Sequence, residues 1–298
     1  MITEKRFGTE DFVREMEERL FSNTVPANGP VLFSKYQEYK PDMKLVCGDY
    51  HDPVISRIIK ISESAREKVN KYLVKKGLEP VGLPSYLEIR EMPPVEKMLL
   101  LDRDGWYVLP VGNVGASYNL ETDGITFYKA MVPGSRENEK LISIYKYGIR
   151  TANKLMEKHP KIRKPLQKLM RFYRAMIDSL QDPEKAEETL AHEYGHKVAE
   201  KIKDHYGRSL NEQLMEPALR NGEEEKAVAA VEGFNVNFTD EVMGRKTTDE
   251  ETTYNWFARG VRRALEYLGL NSAADVLRMG YRGRGDAVTK KYLAMGMN

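Results

Sequence analysis

The chain has a single cysteine, Cys47, in 298 residues. One thiol cannot close an internal disulfide. That excludes a disulfide-stapled secreted scaffold and makes a cytoplasmic location the expectation. No apolar run approaches the ~20 residues that span a bilayer. The opening MITEKRFGTEDFVREMEERLF mixes acids and bases with no apolar stretch, so neither a signal peptide nor a membrane partner is expected. A dominant charge is lacking too. The 47 Lys and Arg nearly balance 45 Asp and Glu, and a formal net charge of +2 exerts no global pull on nucleic acid or membrane. Histidine occurs only five times, and two of the five fall within one short segment.

What is present suits a folded chain. Hydrophobic residues make up 41%, enough for a substantial core. The first 22 residues place Phe12, Met16 and Leu20 at fourfold spacing, as a helix would, and SNTVPANGPV reads as a linker. The segment VISRIIKISESAREKVNKYLVKKG predicts a helix that Gly77 stops. From SYLEIREM to ITFYKAMV the period shortens, and residues 83–132 read as one small sheet ending in a hairpin about the turn ETDG. Helical patterns then occupy 137–158, 161–180, 183–206, 223–244, 249–268 and 273–279, with Asp182 and Pro183 marking the start of the third. The expected class is α+β. The expected organisation is an N-terminal helix and linker over 1–50, then one domain over 51–298, with a sheet half (51–132) and a helical half (133–298).

The histidine-bearing segment is ETLAHEYGHKV, residues 188–198. At ~100° per residue, Leu190, Tyr194, Val198 and Ile202 form one apolar stripe, and His192 and His196 fall on another side. Four residues apart, the two rings stand one above the other and can grip a single metal ion; imidazole nitrogen suits Zn²⁺. Glu193 is rotated toward the same place, where it can take a proton from a metal-bound water. The plain alternative is a solvated helix that happens to carry two histidines. Gly195 suits either a close approach by another segment or simple packing.

A catalytic zinc needs a third protein ligand. The residue six after His196 is Ile202, His205 is too far along the same helix, and His159 and His51 sit in basic or loop contexts. That leaves a carboxylate. Glu232 interrupts the small, apolar run AVAAVEGFNV; buried there, it requires a cation. Glu225, seven residues earlier, is its rival, and a structural salt bridge is the other reading of Glu232.

TLAHEYGH followed by VEGFNVNFTD resembles the gluzincin zinc metallopeptidases, the group of thermolysin-like enzymes. The resemblance covers about residues 54–270. It implies a zincin-like fold in which His192, His196 and Glu232 hold Zn²⁺ and Glu193 is the general base for peptide-bond hydrolysis. It further implies that the strand in GASYNLETDGITFYKAMV aligns a peptide or protein substrate. The helix opening YNWFARGVRRALEYLG resembles the one after the glutamate ligand, which makes Tyr254 the candidate second oxyanion donor; packing beside Trp256 and Phe257 would explain it as well. Two departures stand out. The helices over 137–180 separate the strand from the HExxH helix, and Val236 stands where the family keeps an aspartate four residues after the glutamate, leaving Asn235 or Asp240 to orient His196.

A second function competes. The run over 154–174 concentrates lysine and arginine with Phe172 and Tyr173 beside it, and RMGYRGRGDAVTKKY is basic as well. Such runs suit a nucleic-acid-associated or interaction protein built on the same fold, or an ordinary solvated face.

Overall fold

The computed structural model describes residues 36–40, 43–46, 52–102, 105–113, 115–245 and 253–295. The expected helix over the first 22 residues lies outside them. The class is α+β, and helices predominate. Contacts divide the chain into two compact units. Among the described residues, one comprises Arg90–Gly115 and Tyr128–Lys185, and the other comprises the rest. The expected boundary near residue 50 and the expected halves meeting at 132 do not coincide with this division.

The larger unit holds a five-stranded sheet in the order β1-β2-β3-β7-β6. Its strands are β1 (Tyr36–Lys40), β2 (Met43–Val46), β3 (Tyr86–Arg90), β6 (Ala116–Asn119) and β7 (Gly124–Tyr128). SNTVPANGPV lies outside the described residues, and the stretch after it, within the 1–50 expected to hold only a helix and linker, supplies two strands, β2 running parallel to β3. Helix α1 (Pro53–Lys75) follows β2. Asp52 caps it by accepting from the Val54 N–H at 2.8 Å, and Pro53 opens it where a missing N–H costs nothing. Gly77, at φ +69°, ends it where the sequence placed the stop, with Leu78 N–H reaching back to Leu73 C=O at 2.9 Å. The hairpin β6–β7 turns at ETDG, as expected. Asp123 adopts φ +50°, and a Cβ on Gly124 would lie 2.2 Å from the Tyr86 ring, so any side chain there would displace that ring.

The smaller unit corrects the reading of 83–132 as one sheet. Among the described residues, strands β4 (Val95–Asp102) and β5 (Gly105–Asn113) pair only with each other. Alternation reveals that a segment is extended and says nothing of its partner. Pro110, which has no N–H to offer, sits at the register shift between Glu96 and Lys97. Helices α2 (Arg136–Lys158) and α3 (Arg163–Gln181) complete the unit. Gly148 lets them close, since its Cβ would lie 2.8 Å from the Tyr173 ring.

The remaining helices belong to the larger unit: α4 (Lys185–Lys201), α5 (Leu210–Arg220), α6 (Glu224–Val242), α7 (Thr253–Tyr267), α8 (Ala273–Tyr281) and α9 (Asp286–Ala294). Helix α4 is shorter than the expected 183–206. The Asp204 carboxylate accepts from the N–H groups of Tyr206 and Arg208, both at 2.9 Å, and draws the chain into a turn. Helix α5 was not anticipated, although Ser209 and Glu212 form a full capping box at its start. No helix among the described residues is long and apolar enough to cross a membrane.

Candidate metal centre

Helix α4 uses three faces. Leu190, Tyr194 and Val198 form the expected buried stripe, joined by Ile202 just beyond the helix. His192 and His196 form the second face, with ring centroids 5.0 Å apart. Glu193 and Lys197, one turn apart and both buried, form the third.

Helix α6 faces the histidines with Glu232. His192 Nε2 lies 3.0 Å from Glu232 Oε2, and His196 Nε2 lies 3.4 Å from Glu232 Oε1. One ligating atom from each of the three side chains falls within 4.8 Å of the others. Two ligands ~2.0–2.1 Å from a tetrahedral ion stand roughly 3.3 Å apart, so these spacings fit a zinc-sized cation. Hydrogen bonds between a carboxylate and two imidazoles would give similar distances, and metal content separates the two cases. Glu225 is exposed in the first turn of α6 and is not in the group. Burial alone would raise the Glu232 carboxyl, but the two imidazoles outweigh it and hold the group far below the usual carboxylate range. A charged carboxylate is the form that can ligate a metal.

Gly195 resolves as a site of close approach between α4 and α6. A Cβ there would lie 2.6 Å from Asn235 Oδ1 and 3.0 Å from Phe238. That proximity brings the Asn235 amide to His196 Nδ1 at 2.9 Å, so Asn235 orients the ring. As placed, Nδ2 faces the ring and Oδ1 is buried without a hydrogen-bond partner. Ligation through Nε2 puts the ring proton on Nδ1, which then needs an acceptor. The same amide, turned by half a rotation, supplies that acceptor and pairs its orphaned oxygen, at the cost of the bond Nδ2 now donates to Val231 C=O at 3.1 Å.

Glu193 is 6% exposed. Burial pushes its carboxyl up to about 7, opposed by His192 and by the Tyr118 backbone N–H and reinforced by Glu232. Tyr118 belongs to β6, the terminal strand of the sheet, so that strand reaches the helix at the level of Glu193. The hairpin grips α4 again one turn on. The Lys197 ammonium pairs with the Asp123 carboxylate, which also accepts from the Tyr118 hydroxyl at 2.8 Å and the Ser85 hydroxyl at 3.1 Å. The sequence reading missed Lys197, because a lysine on a helix is ordinary and its burial leaves no mark on the pattern. Tyr254 lies in the first turn of α7; its side chain is outside the described residues.

Comparison of the chain with models of protein families, with curated proteins and with solved structures finds no match.

Proposed function

We propose that the chain is a zinc-dependent peptidase with a zincin-like arrangement of the gluzincin type, acting on peptide or protein substrates. The observation that carries this reading is the convergence of His192, His196 and Glu232 beside a buried carboxylate, Glu193. A bound divalent cation supplies a Lewis acid for a carbonyl oxygen and lowers the pKa of water. The chain's own residues do the rest. Glu193 takes the proton of the attacking water at its carboxylate and passes it to the leaving amine. A carboxyl drawn up toward neutrality suits both halves of that exchange. Asn235 holds the His196 ring through Nδ1. The terminal strand β6 offers an edge along which an extended substrate can pair. Tyr254 remains the candidate donor to the developing oxyanion, and Tyr254→Phe should lower kcat by ~10²-fold or more with little change in KM.

A peptide-library digest tests the reading. Cleavage that stops with a chelator, returns with added zinc and is absent from Glu193→Gln supports it. Cleavage that persists in chelator overturns it.

A further inference from the structure

The smaller unit carries an unusual share of the positive charge. Between Lys146 and Arg174 the sequence has ten Lys or Arg and one acid, Glu157, which leaves the rest of the chain net acidic. All ten are exposed. On α2, Lys146, Arg150, Lys154 and Lys158 follow at four-residue steps, ~6 Å of rise each. Their arc lies opposite the buried face of Leu141, Tyr145, Ala152 and Leu155. On α3, Lys164, Lys168 and Arg171 likewise lie opposite Leu166, Leu169 and Tyr173. Lys158 also donates to the Tyr107 hydroxyl at 2.9 Å.

Like charges four residues apart on a helix repel by about 0.2–0.5 kcal/mol per pair. Elsewhere this chain does the opposite, pairing Glu216 with Arg220 and Asp286 with Lys290 at the same spacing. The α2 stripe therefore gives up local stability to present mostly one sign, with Glu157 the exposed acid on the same arc. Stable seating in a lipid surface favours a broad apolar face beside the cations, although cations alone are drawn to anionic headgroups. Here the apolar faces of both helices are spent in the unit's own core. A regular row of cations with a single exposed aromatic among them, Tyr147 at 51%, fits a polyphosphate better than an inserting surface.

We propose that the α2–α3 hairpin is a docking surface for the phosphodiester backbone of nucleic acid. This binding does not depend on the metal centre. The test measures anisotropy of a labelled 20-nucleotide strand and of a 20-base-pair duplex with the full chain, in chelator, between 50 and 200 mM salt, probe lengths and salt range being chosen on the order of a small footprint. Contact with four to six phosphates gives a log–log salt slope of about −3 to −5. Reversing Arg150, Lys154, Lys164 and Lys168 to Glu should weaken binding at least about tenfold and flatten that slope. The milder Arg150→Gln/Lys154→Gln pair guards against misfolding and should weaken it partially. Arg282→Ala/Arg284→Ala, in the other basic segment, should bind as the parent does. The proposal fails if neither probe binds with salt dependence, if the reversed variant binds normally, if the loss follows Arg282 and Arg284, or if phosphatidylserine vesicles bind in place of the oligonucleotides.

Discussion

The ammonium of Lys197 and the carboxylate of Asp123 form an ion pair in which the lysine is 1% exposed and the aspartate 37%. The pair ties the HExxH helix to the turn of the hairpin whose other strand, β6, touches Glu193. Breaking it from the acid side strands a buried ammonium. Asp123→Asn should cost roughly 2–3 kcal/mol, below the usual range for a buried pair because solvent already screens Asp123. Lys197→Met removes the charge and keeps the volume, so it should cost under ~1.5 kcal/mol. The double variant should recover most of the Asp123→Asn loss. Urea midpoints measure all three.

The same pair gives stability a dependence on acid. Burial raises the Asp123 carboxyl, but hydrogen bonds from Lys197 and Tyr118 outweigh it and hold the group below its ordinary value. Folded Asp123 therefore gives up its proton more readily than unfolded Asp123. Its contribution is complete above the unfolded value of about 3.9 and is lost as pH falls through its own lower value. Denaturant titrations below about pH 4 should show a steeper decline in the parent chain than in Asp123→Asn, the remainder coming from other lowered carboxyls such as Glu232.

Asn235 reaches His196 Nδ1 at 2.9 Å, so its effect on a metal held there would pass through that ring. Asn235→Leu should weaken zinc affinity about 10- to 100-fold, the usual cost of losing a partner behind a ligating imidazole. Asn235→Asp supplies an acceptor in either orientation and should retain affinity within a few-fold. Competition with a chromophoric chelator reads both.

Gly195 sets the separation of α4 and α6. A methyl at 2.6 Å from Asn235 Oδ1 forces the helices apart or the amide aside. Gly195→Ala should cost about 1–3 kcal/mol in thermal unfolding, despite alanine's better helix propensity, and should weaken zinc binding as well.

Much of the centre could be read from the chain, and the reason lies in geometry. His192 and His196 must recur at the helix period, and Glu232 stands out as an acid in an apolar run, so spacing nominates the pair and context prefers Glu232 to Glu225. Asn235 was one of two named options, and the contact with Gly195 decides for it. Lys197 was invisible because its meaning depends on Asp123, 74 residues away. The sheet was misjudged for a related reason. Strand β5 looks no different in sequence from β6 and β7, yet it pairs apart with β4. VEKMLLLD lacks the β-branched alternation that would mark it as a strand at all. The helix α5 was legible and overlooked: Ser209 and Glu212 spell a capping box.

The central claim is that α4 and α6 together hold one cation. Elemental analysis of the purified parent chain and four variants addresses it most directly. The parent, Glu193→Gln and Glu225→Ala should each carry about one zinc per chain, while His192→Ala and Glu232→Ala should carry almost none. A parent chain that takes up no zinc after incubation with the metal, or a Glu232→Ala chain that keeps its full complement, would contradict the account.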